Sequence, residues 1–110
     1  MKPIAVDAYV LDTLMADLVG HDRQPSAFVA YLYLWRQSLA KGKVSVQVSL
    51  MDISSGTGLS KRTVQVALTR LKKRQLVSID RHTPTAVPIY TVRRPWLLGT
   101  RRSAFGTRWG

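Results

Sequence analysis

Lys61, Arg62, Gln65 and Thr69 bring three kinds of hydrogen-bonding side chain together within nine positions, with Arg70 and Lys73 close behind. A guanidinium or ammonium group suits a phosphate or the paired acceptors of a guanine edge. A carboxamide suits the donor–acceptor edge of adenine, and a hydroxyl serves either a base or a phosphate. The rest of the chain supplies little other chemistry. It has no glutamate and no cysteine, and its only histidines, His21 and His82, fall in predicted loops. No paired carboxylates, nucleophile–base set or phosphate-cradling glycine loop emerges, so catalysis is not expected. Asp7, Asp12 and Asp17 are spaced five apart, which on an α-helix puts them on different faces. No metal site is therefore expected, nor any cofactor or small-molecule ligand, and without cysteine there are no disulfides or thiolate ligands.

The charge is divided unevenly. Up to residue 60 five bases balance five aspartates, whereas from residue 61 onward twelve bases face Asp80 alone. The whole formal charge of +11 thus belongs to the second half. A one-signed field raises the local concentration of polyanions and speeds their capture. Nucleic acid is the leading candidate, and an anionic membrane surface the second.

The elements that must position these groups follow from periodicity. At 110 residues the chain fits one domain, expected over residues 1–98, with a flexible basic tail at 99–110 holding Arg101, Arg102 and Arg108. No apolar run is long enough to span a bilayer, and the first residues lack a signal-peptide core, so a cytoplasmic, nucleoid-associated location is expected. Val10, Leu11, Leu14, Met15 and Leu18 predict an amphipathic helix from Asp7 to Val19, capped by Asp7 and followed by Gly20. A second helix, Ser26 to Ala40, is apolar on nearly every side, which makes it a central core helix or a subunit interface. Val44–Val48 alternates as a short strand. Ser49 caps a short helix over Leu50–Ser55, with Asp52 placed for a capping box. Gly56-Thr57-Gly58-Leu59 then forms a turn, and Ser60 caps a helix reaching Arg74 whose buried stripe is Val64, Ala67, Leu68 and Leu71. Leu76–Asp80 and Ile89–Arg93 read as a hairpin around a loop stiffened by Pro84 and Pro88, with Trp96 and Leu97 packing back on the domain.

From Ser49 to Leu76 this pattern resembles the helix-turn-helix of bacterial winged-helix regulators. The resemblance rests on the short first helix, the Thr-Gly-Leu-Ser turn, Thr63-Val64, the core positions Ala67, Leu68 and Leu71, and the Leu76-Val77 strand entry. It covers roughly residues 44–94. It implies a mainly α domain with a small β-hairpin wing, the helix-turn-helix lying at about 49–75 and the wing at about 76–94. The partner implied is double-stranded DNA, with the second helix in the major groove. The residues expected to meet DNA are Ser60, Lys61, Arg62, Thr63, Gln65, Val66, Thr69, Arg70 and Lys73, joined by Arg81 and Arg93 of the wing. A transcriptional regulator is the leading expectation. Its rivals are the DNA-binding module of a phage or plasmid replication initiator, an RNA-binding protein and a protein-interaction module. Excess apolar surface on Phe28, Val29, Tyr31, Tyr33 and Trp35 would supply a homodimer interface through the 26–40 helix.

Overall fold

Val10, Leu14 and Leu18 recur every fourth residue, and all three are buried. In the computed structural model, which describes residues 2–97, they line a segment wound more loosely than an α-helix. Val10–Leu14 and Ala16–His21 are π-helical and meet at Met15. The bonds run back five residues, as from the Asp22 amide to the Asp17 carbonyl at 2.8 Å. This winding carries the segment to His21, past the expected end at Val19, and takes Gly20 inside it rather than beyond it. Asp7 does not cap it. Its carboxylate accepts instead from Trp96 Nε1 at 3.0 Å and from Arg94 at 3.3 Å.

Pro25 opens the next helix, α1 (Pro25–Gln37), at a first-turn position where a missing N–H costs nothing. The helix thus starts one residue before Ser26, and no side chain caps it. Of the two readings of this apolar helix, the core takes most of its surface. Ala27, Phe28, Ala30, Tyr31, Leu34 and Trp35 are all buried, and α1 packs on the N-terminal segment, on both later helices and on the sheet. The polar tips of its rings are satisfied: Tyr31 Oη donates to the Arg93 carbonyl at 2.9 Å, and Trp35 Nε1 to the Ala5 carbonyl at 3.0 Å. Among the residues expected at a subunit interface, Phe28, Tyr31 and Trp35 are core and Val29 is exposed.

After a 3₁₀ turn over Leu39–Lys41, strand β1 (Ser45–Gln47) leads into α2 (Leu50–Thr57). The capping box is complete. Ser49 Oγ accepts from the Asp52 amide, and the Asp52 carboxylate, held below its usual range by that reciprocal bonding, accepts from the Ser49 amide. The helix runs through Gly56 to Thr57, two residues beyond Ser55, and Gly56 lies against the Tyr33 ring, where a Cβ would collide. Gly56→Ala is expected to lower stability by about 1 kcal/mol, the steric cost outweighing the gain in helix propensity. Urea unfolding checks it. The loss should shrink in a Tyr33→Ala background, as a double-mutant cycle would show.

Helix α3 (Lys61–Lys73) buries Val64, Ala67, Leu68 and Leu71. It stops in a tight reversal. Gln75 adopts φ +59°, the Gln75 amide bonds to the Lys72 carbonyl, and the Leu76 amide reaches back to Leu71 at 2.9 Å. That reversal aims the chain into β2 (Val77–Asp80), which turns through residues 81–88 into β3 (Ile89–Val92). β3 is central in an antiparallel sheet of order β1-β3-β2, aligning Val46, Tyr90 and Ile79. Tyr90 and Val92 face the core. Trp96 packs back as expected, stacked on Tyr9 at 4.7 Å, whereas Leu97 stays exposed. The result is one α+β domain in which the helices share a core with one face of a small sheet. No helix among the described residues is long and apolar enough to cross a membrane. The basic tail expected at 99–110 lies outside the described residues.

Candidate nucleic-acid interface

The turn between α2 and α3 is locked by short polar side chains. Gly58 takes φ +82°, a conformation glycine adopts at no steric cost, and its amide bonds to the Ser54 carbonyl. Ser54 Oγ donates to the Leu59 carbonyl at 2.6 Å, and Thr57 Oγ1 donates to Ile53 while accepting from the Leu59 amide. Ser60 then caps α3: its Oγ accepts from the Thr63 amide at 3.1 Å and donates to Thr63 Oγ1 at 2.9 Å. Ser60 and Thr63 therefore hold one another at the helix start. Their role is to set the angle at which α3 leaves the turn.

With its buried stripe facing inward, α3 turns Lys61, Arg62, Gln65, Val66, Thr69, Lys72 and Lys73 to solvent. Val66 is half exposed, an apolar contact point within a polar row. Thr69 Oγ1 donates to the Gln65 backbone carbonyl, and the Gln65 side chain is exposed. None of Lys61, Arg62, Lys72 and Lys73 forms an ion pair among the described residues.

Arg70 is placed differently. It sits on the flank of α3, where Nε donates to Gln24 Oε1 at 3.3 Å and lies 3.9 Å from the Asp22 carboxylate. Arg74, one turn on, makes a two-pronged contact with Asp22 at 2.7 and 2.9 Å. Asp22 is almost fully buried there. The Arg74 bonds, aided by His21, hold its carboxyl far below the usual carboxylate range. Asp17 lies 3.9 Å from Arg74 as well. Two aspartates five residues apart, Asp17 and Asp22, thus both lie near one guanidinium. No cluster of three potential metal ligands exists among the described residues.

The hairpin loop faces the outward row of α3 across a cleft of about 640 Å³. Gln65, Thr69, Lys72 and Arg81 supply its polar wall, while Leu68 and Tyr90 lie at the apolar side. Arg81 is exposed, and its guanidinium donates to the Ala86 carbonyl at 3.4 Å across the loop. Arg93 is at the other end of the hairpin, beside Val77 rather than Asp80, and shares a separate recess with Lys72, Gln75 and Ser78. The structure therefore brings Gln65, Thr69 and Arg81 together around the cleft, with Lys72 beside them. It exposes Lys61 and Arg62 on the same helix, sets Val66 and Lys73 beside Arg70 on the opposite flank, and leaves Arg93 at the far end of the hairpin. Asp22 and Gln24, which no motif marked, prove to organise the α3 flank. A helical wheel sets Arg70 and Arg74 together, away from Gln65, but nothing local in the sequence points from them to Asp22 and Gln24.

Comparison of the chain with protein-family models, with curated proteins and with solved structures finds no match in any of the three.

Proposed function

We propose that this chain is a winged helix-turn-helix protein that binds double-stranded DNA sequence-specifically and acts as a transcriptional regulator. Helix α3 would enter the major groove, with the 81–88 loop as a wing beside it. One observation carries the reading: a row of donors on α3, unneutralised by any aspartate among the described residues, shares a cleft with a basic hairpin loop. Arg62 and Gln65 would read base edges, while Lys61, Lys72, Lys73 and Arg81 would hold phosphates. Thr69 lies between the two groups and would contact either.

Selection from a random duplex library at about 150 mM salt tests this directly. The expected result is an enriched motif bound on the order of a thousandfold more tightly than a scrambled duplex. The symmetry of that motif would report whether one or two copies bind. Salt-sensitive binding without sequence preference, or stronger binding to RNA, would overturn the reading. Lys72→Ala should weaken cognate and random duplexes alike and make the plot of log K against log salt shallower by about one.

A further inference from the structure

On the flank of α3 away from the hairpin loop lies a second recess of about 200 Å³, walled by Gln24, Val66, Thr69, Arg70 and Lys73. We propose that this recess is a phosphodiester subsite, in which one backbone phosphate is held between the Gln24 carboxamide and the cations Arg70 and Lys73. The inference rests on the DNA-binding reading above. It extends that reading to the segment ahead of α1, which lies outside the helix-turn-helix.

Gln24 Nε2 is the clearest pointer. It is buried with less than 1 Å² exposed, and it is the only such side-chain atom among the described residues without a hydrogen-bond partner. The orientation of its amide is set by chemistry. Gln24 Oε1 accepts from Arg70, and a guanidinium has no acceptor to offer, so the nitrogen is the end left over. A buried donor without an acceptor is costly, and an arriving oxygen would remove that cost. Because Nε2 is enclosed, contact with a phosphate requires the carboxamide to turn into the recess that Gln24 walls.

The other groups around the recess narrow the ligand class. Arg70 and Lys73 offer donors and positive charge. The Thr69 hydroxyl already donates to the Gln65 carbonyl and serves as wall. The nearest acid, Asp22, is committed to Arg74 through both oxygens and lies 3.9 Å from Arg70, which it steadies without neutralising Lys73. A cation would be repelled here, and a neutral ligand would leave both charges uncompensated. A phosphate oxygen can accept from all three side chains.

Position then favours a duplex backbone over a free anion. Thr69 walls both this recess and the cleft beneath the hairpin loop. The two sites thus flank the outward row of α3, as the two backbones flank a major groove about 12 Å wide.

A comparison using duplexes with single methylphosphonates, which remove one phosphate charge at a time, decides the matter. The full chain is expected to lose about three- to tenfold in affinity at one position, and Gln24→Ala to be insensitive at that same position. Gln24→Ala should keep the salt slope, because no charge is removed, whereas Lys73→Ala should make it shallower by about one. If Gln24→Ala does not fold, the Lys73→Ala profile supplies the comparison. A profile unchanged in the variant overturns the subsite while leaving DNA binding intact. In a parallel arm the Gln24 side-chain amide resonances are followed as inorganic phosphate replaces chloride at constant ionic strength. A saturable shift without duplex affinity would overturn the proposal in favour of a free-anion site. Neither shift nor duplex affinity would overturn both readings together.

Discussion

Alanine at Arg62 or Gln65 should cost roughly 1–3 kcal/mol on a selected duplex and leave affinity for random DNA almost unchanged. Both side chains are exposed, and neither has an intramolecular partner among the described residues. Their removal should therefore leave stability within about 0.5 kcal/mol of the parent. Fluorescence anisotropy on the two duplexes measures the split, and Lys72→Ala provides the contrasting pattern. Equal losses on both duplexes would show that Arg62 and Gln65 act as phosphate anchors, which would remove α3 from its role as the reading helix.

The largest stability effect is expected at Asp22. Asp22→Ala removes both acceptors of Arg74 and the nearest carboxylate of Arg70, at a site where the carboxylate is almost fully buried. Breaking such a pair should cost about 2–3 kcal/mol, the partial exposure of Arg74 keeping it below the value for a fully enclosed pair. The pH dependence has a definite sign. Hydrogen bonds from Arg74 and then His21 depress the Asp22 pKa in the folded state. Its contribution is therefore complete above the ordinary carboxylate pKa of about 4 and is lost as pH falls below it. Urea midpoints should hold between about pH 8 and 5, then fall. Asp22→Asn should start lower and lose less on acidification. An unchanged acid limb in that variant would show that other carboxylates govern it.

The parts of this architecture that were legible in the sequence are those governed by short-range rules. The α3 stripe, the Ser49–Asp52 capping box, the Ser60 cap and the Gly58 turn are each set by residues a few positions apart along the chain. The hairpin was legible for the same reason, since alternation and two prolines mark it. Three features were not. The loose winding around Leu14 has no local signature, because an apolar residue every fourth position fits either kind of helix. The placing of Arg70 depends on Asp22 and Gln24, nearly fifty residues away. A basic residue on a basic helix reads as part of its ligand surface until its partner is known. Finally, an apolar helix such as α1 looks the same whether a core or a second subunit covers it, and only the surrounding elements settle how much surface remains.

The ties at the two ends of the domain bear on whether its parts can live apart. Asp22 meets Arg74 across 52 positions, and Asp7 meets Arg94 across 87. Tyr9 closes the same seam by stacking on Trp96. A fragment containing only residues 44–97, the half that carries the helix-turn-helix pattern, would lose α1 as well as these acids. Leu71, Ile53 and Val64, fully enclosed in the whole domain, would have lost the helix that forms the centre of its core. Excised, that half would be a cationic, partly collapsed chain rather than a transferable module, and its autonomy belongs to the N-terminal forty residues as much as to itself.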